Sequence, residues 1–283
     1  MRLRQALAIV LVALLLNACT LVELAYNNAP LYLESRIDDA FELNSEQQQA
    51  LSKAMEAFFE WHRREELPRY AREFEKAAAQ VEDGLTPEEV LNLINRARGE
   101  LGLLAAGAGK HMGNLLTQIQ PEQLIYYDQA YKERIEDDLA LLEASEKDRQ
   151  WERAELHLKR YEDWFGEFGV KQYEQARERF MGLPDFHPQW MARRMARHES
   201  FLALMRTQPG EQEIKNWIQA WLVDRSAGVN PQYEQGRTIY WQKFAEVVAQ
   251  IDKTITPEQR EHAVERMRDY AAAFRRLAAE SAS

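Results

Sequence analysis

Apolar positions along the chain recur at steps of three and four, and no sustained period-two alternation is present. Trp151, Ala154, Leu158, Tyr161, Phe165 and Phe168 share one helical face. So do Tyr240, Phe244, Val247 and Ile251, and later Met267, Tyr270, Phe274 and Leu277. A helix with about 3.6 residues per turn gathers such positions into one buriable stripe, whereas a strand would scatter them over two faces. The pattern predicts an all-α fold.

Helix starts are clearly marked. Thr86-Pro87-Glu88-Glu89 and Thr256-Pro257-Glu258-Gln259 each combine a capping hydroxyl, a proline at the first helical position and an acid or amide that reaches back to the cap. Leu85 and Val90 can add a hydrophobic staple. Gln120-Pro121-Glu122-Gln123 repeats the pattern without a good cap, and Asn44-Ser45-Glu46-Gln47 repeats it without the proline. Breaks fall at Gly182-Leu183-Pro184, Gln208-Pro209-Gly210 and Gly228-Val229-Asn230-Pro231. Helices are therefore predicted near 45–82, 87–117, 121–143, 146–181, 188–206, 211–226, 231–253 and 257–280, an extended bundle of about eight helices. Residues 45–283 form the helical domain, either as one unit or as two abutting bundles with a boundary near 182–187.

The first residues follow a different logic. Arg2 and Arg4 precede an uninterrupted apolar run from Ala6 to Leu16, and Leu16-Asn17-Ala18 leads into Cys19, the only cysteine. This is the layout of a secretory signal, and a run of 11 residues is well short of the roughly 20 needed to cross a membrane. The segment resembles the bacterial lipobox, with Asn17 departing from the usual small residue. That resemblance implies cleavage after residue 18, acylation of Cys19 and stable anchoring through several acyl chains. In lipoproteins of this kind Thr20 in place of Asp implies the outer membrane, facing the periplasm, with the inner membrane as the alternative. Residues 19–44 are read as the acylated cysteine and a short tether leading into the body, with a helix beginning after Pro30.

Charge narrows the partners. Removing residues 1–18, which hold Arg2 and Arg4 and no acid, leaves 34 basic against 46 acidic side chains, a net charge of −12. Nucleic acid and broad adhesion to anionic headgroups are both disfavoured by that balance. A membrane partner is then reached through the acyl chains on Cys19, and a protein or cell-envelope partner is expected for the body.

Cys19-Thr20 followed by Tyr26-Asn27-Asn28-Ala29, together with the run Trp61-His62-Arg63-Arg64-Glu65-Glu66-Leu67-Pro68-Arg69-Tyr70, resembles an uncharacterised family of Gram-negative lipoproteins classed as a domain of unknown function. The resemblance implies a lipoprotein and carries no activity. Leu85-Thr86-Pro87-Glu88-Glu89 and Ile255-Thr256-Pro257-Glu258-Gln259 are also similar to the Leu-Thr repeats of Spy- and CpxP-type periplasmic chaperones, although capping boxes converge on these residues for physical reasons.

Two places carry candidate chemistry. The stripe Leu51, Met55, Phe58 continues to His62, Glu66 and Tyr70, so a titratable pair would point inward beside the bend expected at Pro68. The pair is read either as an acid/base or ligand pocket or as a buried histidine satisfied by its carboxylate. His198 lies between Met191, Met195 and Leu202 on a helix that also carries Arg193, Arg194 and Arg197. This group is read either as a carboxylate or phosphate site centred on Arg194 and His198, or as cations paired with a neighbouring helix. His111, His157, His187 and His262 add no metal-ligand spacing, so no metal and no cofactor are expected. Gly102, Ala106, Gly109 and Gly113 form a small-residue stripe suited to close helix packing. Serine-nucleophile elbows, dinucleotide loops and recognisable glycosidase carboxylate pairs are absent. The expected function is binding, as a scaffold, assembly factor or envelope chaperone; the alternative is an envelope hydrolase centred on His62 and Glu66.

Overall fold

The computed structural model describes the backbone of residues 2–280 and the side chains of residues 21–280. The side chains of the signal segment and of Cys19 lie outside the described residues. Among the described residues there is no strand. The elements are α1 (Arg2–Phe41), α2 (Ser45–Trp61), α3 (Leu67–Asp83), α4 (Pro87–Leu116), α5 (Gln123–Arg134) and α6 (Glu136–Glu143). They continue as α7 (Glu146–Phe165), α8 (Val170–Met181), α9 (His187–Arg206), α10 (Glu211–Ile218), α11 (Pro231–Asp252) and α12 (Pro257–Glu280). A π turn, His62–Glu66, joins α2 and α3 into one rod, and another, Gln219–Val223, extends α10. Read that way there are eleven helices among the described residues, where the sequence predicts about eight.

The extra helices have physical causes. The predicted helix 146–181 is interrupted because Gly166 takes φ 81° as its N–H bonds to the Glu162 carbonyl at 2.8 Å. Glu162 Oε1 then accepts from the Phe168 N–H at 3.0 Å, so Phe168 is buried from a loop rather than from the helical face assigned to it. The helix 121–143 breaks at Ile135, with φ −104° and ψ 5°, where neither glycine nor proline stands. Ile135 is buried with Tyr131 and Met191, so packing holds the break where propensity would not. In the N-terminal segment, α1 runs through Pro30 instead of starting after it. Proline in a helix interior forfeits one hydrogen bond, which here is offset by packing of Tyr26, Ala29, Ile37 and Ala40 on the core. Residues 21–41 are thus helical and docked.

The caps form as the sequence predicts. Thr86 Oγ1 accepts from the Glu89 N–H at 3.3 Å while Glu89 Oε2 accepts from the Thr86 N–H at 2.8 Å. Thr256 and Gln259 make the same reciprocal pair at 3.2 and 3.1 Å. Asn44 and Gln47 make a third.

Two main cores result. One gathers Leu51, Met55 and Phe58 of α2, Leu115 of α4, Phe201 and Leu202 of α9, and Ile214 and Ile218 of α10. The other gathers Val81 of α3, Leu158 of α7, Phe180 of α8, Ile251 of α11 and Val264 of α12. Each draws on both sides of residues 182–187, and Leu183 is itself buried in the second. The α2–α3 rod crosses from one core to the other. So does α4, which buries Val90 against Ala245 and Val248 of α11 at one end and Leu115 in the first core at the other.

The glycines of α4 explain how closely its neighbours approach. Gly102 faces Val223, Gly109 faces Ile218 and Gly113 faces Glu211, so the small-residue stripe seats α10 and its π turn. Gly107 serves a different neighbour: a Cβ there would lie 2.1 Å from the Trp61 indole. That indole is packed on Phe58 and His111 and donates to Glu65 Oε2. Gly99, in the same helix, has nothing within 4 Å of a would-be Cβ. Gly107→Ala should therefore lower stability by about 1–3 kcal/mol through overpacking. Gly99→Ala should raise it by up to about 1 kcal/mol through helix propensity. Thermal unfolding of the two variants beside the parent should give shifts of opposite sign.

Candidate functional site

Pro68 has no N–H to offer the Arg64 carbonyl, and the helix widens by one residue just before it: the Leu67 N–H bonds to the His62 carbonyl, a five-residue step. The buried stripe passes from His62 to Leu67 and Ala71, and His62 and Glu66 both end inside. They do not pair with each other. His62 Nδ1 is 2.8 Å from the Tyr26 hydroxyl, and its ring lies 5.4 Å from Tyr70. Glu66 is held instead by Arg69, which also donates from Nε to Glu100 Oε2 at 2.6 Å and so ties α3 to α4. The expected His62–Glu66 pair is replaced because the π turn re-aims both side chains.

The partner of His62 comes from the other motif singled out in the sequence. Tyr26 packs edge-on against Phe59 with centroids 5.5 Å apart, and the Arg63 guanidinium lies 5.0 Å from the Tyr26 ring while donating to Asn27 Oδ1 at 2.5 Å. Arg63 also reaches Glu280 at 3.0 Å, and Arg276 donates to Glu23 at 2.5 Å. The two motifs thus form a single joint that docks α1 on the α2–α3 rod and on α12. Burial, and then Arg69, push the His62 imidazole down to about 4. Burial raises the Glu66 carboxyl, with Arg69 opposing, and pushes the Tyr70 hydroxyl up to about 12.

The second candidate lies between α5 and α9. A recess of about 170 Å³ is lined by Arg134, Arg194 and Arg197 together with Tyr127, Tyr131 and His198. Phe201 and Trp217 complete its wall, with Trp217 anchored by donation to Ser200 Oγ at 3.0 Å. The His198 ring stacks on Tyr131 at 3.6 Å with 7° between planes, and His198 Nε2 lies 2.8 Å from Asp128 Oδ1. Hydrogen bonds from Lys132 and His198 hold the Asp128 carboxyl below its ordinary value. Arg194 is paired with Asp138 of α6. Arg193 points elsewhere, donating to the carbonyls of Arg225 and Ala227 at 3.1 and 3.2 Å.

Arg194 and His198 have acidic partners on α5 and α6, yet they share a recess with Arg134 and Arg197. Tyr127, Tyr131 and Arg134 are not among the residues expected at this site from sequence, although their i, i+4, i+7 spacing marks one polar aromatic face of α5. A larger groove, about 530 Å³, runs between α1 and α12 and is lined by Leu21, Val22, Ala25, Tyr26 and Tyr270 among others. Neither cavity is lined by His62 or Glu66. Among the described residues no group of three or more His, Cys, Asp or Glu could hold a metal ion.

Residues 39–233 match the family of unknown function DUF6279. The chain belongs to that family. No curated protein and no solved structure is similar enough to match it. The matched stretch takes in the rod, its π turn and every residue of the recess, while Tyr26 of the α1 joint and all of α12 lie outside it. The likeness of the helix starts to Spy- and CpxP-type chaperones has no counterpart among these matches, and the caps observed at Thr86 and Thr256 account for those residues.

The buried histidines give the fold a defined response to acid. His157, 3.1 Å from the Tyr240 hydroxyl, is pushed down to about 4 by burial and then by Arg153 and Arg160, much as His62 is. In the unfolded chain both titrate near 6.5. Between about 6.5 and 4 the unfolded state binds protons that the folded state refuses, so stability is full above that window and falls as pH drops through it. The raised Glu66 carboxyl works weakly in the opposite direction. The thermal midpoint should decline from pH 6.5 to 4, and the double variant His62→Gln/His157→Gln should lose much of that slope. Parallel pH profiles for parent and variant would show that the two histidines do not cause it.

Proposed function

We propose that this chain is a lipid-anchored, periplasm-facing helical protein that acts by binding, as a scaffold, assembly factor or envelope chaperone, and that acyl chains on Cys19 hold it at the outer membrane. The observation that carries the binding role is the fate of His62 and Glu66. Each is buried, each has its own structural partner, and neither lines a described cavity. An acid/base pair for hydrolysis needs both groups within reach of one substrate, which this arrangement does not support. The alternative of an envelope hydrolase at this position is correspondingly weaker.

The anchor rests on Leu16-Asn17-Ala18-Cys19 and on how soon the body begins. Tyr26 is already bonded to His62, so the helical body would sit close to the membrane that holds Cys19. Among the described residues no helix is long and apolar enough to cross a membrane, which is compatible with attachment through acyl chains.

Cys19→Ser should leave the body folded and abolish both palmitate incorporation and recovery in the membrane fraction. Parent protein found soluble with an unmodified cysteine would end the anchored reading. For the site, His62→Ala leaves the part-buried Tyr26 hydroxyl without its partner and should cost about 1–3 kcal/mol. Complementation of a deletion strain should then fail only as far as folded protein is lost. An inactive His62→Ala protein with the parent's unfolding midpoint would instead make His62 a working residue and overturn the binding reading.

A further inference from the structure

The recess between α5 and α9 brings two features together in one concave place. The first is charge: the chain carries a net −10, yet three guanidinium groups converge here and only Arg194 has a carboxylate partner, Asp138. Arg134 and Arg197 form no ion pair among the described residues. The second is unmet hydrogen bonding. Tyr131 and His198 are 7% and 5% exposed, and the Tyr131 hydroxyl and His198 Nδ1 are each buried with no hydrogen-bond partner among the described residues. A buried polar atom left unmatched is destabilising, so two of them on stacked rings beside two unpaired cations are an arrangement that a ligand would relieve.

We propose that this recess binds a phosphate monoester group, with Arg134 and Arg197 neutralising its charge, the Tyr131 hydroxyl donating to it and His198 Nδ1 sharing its last proton. The inference supplies a ligand chemistry for the binding role proposed above and rests on that reading. Charge suits phosphate, since a monoester carries one charge while it holds its last proton and can develop a second as that proton shifts away, which a carboxylate between the same two unpaired guanidinium groups cannot do. Proton chemistry favours it as well. The Asp128 carboxyl is held below its ordinary value and accepts, so His198 Nε2 carries the hydrogen between them; in the imidazole form of the ring Nδ1 is then an acceptor. A phosphate monoester, with its second ionisation near 6, can present an O–H to that nitrogen; an ionised carboxylate cannot. Size sets the scale of the ligand: at about 170 Å³ the recess falls below the roughly 300–1,000 Å³ of sites that enclose whole drug-sized molecules, and suits a terminal group with the remainder outside. The aromatic wall of Tyr127, Phe201 and Trp217, whose rings pack edge-on or tilted, would lie against whatever the phosphate is attached to.

Calorimetric titration of the full chain in neutral detergent with phenyl phosphate and with inorganic phosphate tests the site. The expected result is saturable binding at one site, weakened at least about tenfold by Arg197→Gln and by Arg134→Gln and unchanged by Arg268→Gln on α12, whose partner is Glu82. Without phosphate, Arg197→Gln should unfold no earlier than the parent, because burial and the neighbouring Arg193 and Arg194 already disfavour its charge. With phosphate, only the parent should gain in midpoint. The source of the phosphate is read separately. Arg197-dependent recruitment to phosphatidylcholine vesicles containing phosphatidic acid would indicate a lipid headgroup, and binding confined to phenyl phosphate would indicate a soluble ester. No saturable binding, or binding indifferent to both arginine variants, would overturn the inference and leave the general binding role standing. Release of phenol from phenyl phosphate would break that role instead, since the recess would then be catalytic.

Discussion

A single helical register has to serve two cores, and the chain meets that constraint at Pro68. The rod from Ser45 to Asp83 contributes Leu51, Met55 and Phe58 to one core and Ala78 and Val81 to the other. A proline within a continuous α-helix would leave a carbonyl unmatched and kink the rod. One inserted residue removes the conflict: the Leu67 N–H takes the His62 carbonyl, and the buried stripe resumes at Leu67 and Ala71. α4, α9 and α10 assemble on the first half of this rod, and α12 lies along the second.

The same widening decides what becomes of the polar residues within it. His62 and Glu66 are carried into the interior, where burial disfavours the charged form of each. Their separate partners then make them joints: His62 receives α1 through Tyr26, and Glu66 with Arg69 and Glu100 ties α3 to α4. Docking of α1 is therefore a property of the π turn as much as of α1 itself. It joins the segment that follows Cys19 to the part of the rod that reaches both cores.

The two candidate sites differ in how far their polar groups are satisfied. At the π turn, His62 and Glu66 each have a protein partner at hydrogen-bond distance, which suits a structural role. In the recess between α5 and α9, the Tyr131 hydroxyl and His198 Nδ1 do not. Stacking of Tyr131 on His198 and the Asp128 contact fix the ring without satisfying its second nitrogen. Arg197 is retained there although burial and like-charged neighbours disfavour it. Departures from local consistency of this kind concentrate where a chain has a use beyond folding.

Much of this was already written in the sequence, because capping and amphipathicity are local. Thr86 with Glu89, Thr256 with Gln259 and Asn44 with Gln47 mark helix starts through contacts spanning three residues, and the period of the apolar stripes decides the all-α class. His62, Glu66 and His198 were legible as inward-facing for the same reason. Their partners were not, since Tyr26 lies 36 residues from His62 and Asp128 lies 70 residues from His198. The break at Ile135 likewise has no local signal and follows from packing on Met191. The π turn has a local cause in Pro68, but whether proline kinks, ends or widens a helix depends on what packs on either side. Only the tertiary structure placed Tyr131 and Arg134 opposite Arg197, because the meeting of two helix faces is set by the summed packing of the whole core rather than by either helix alone.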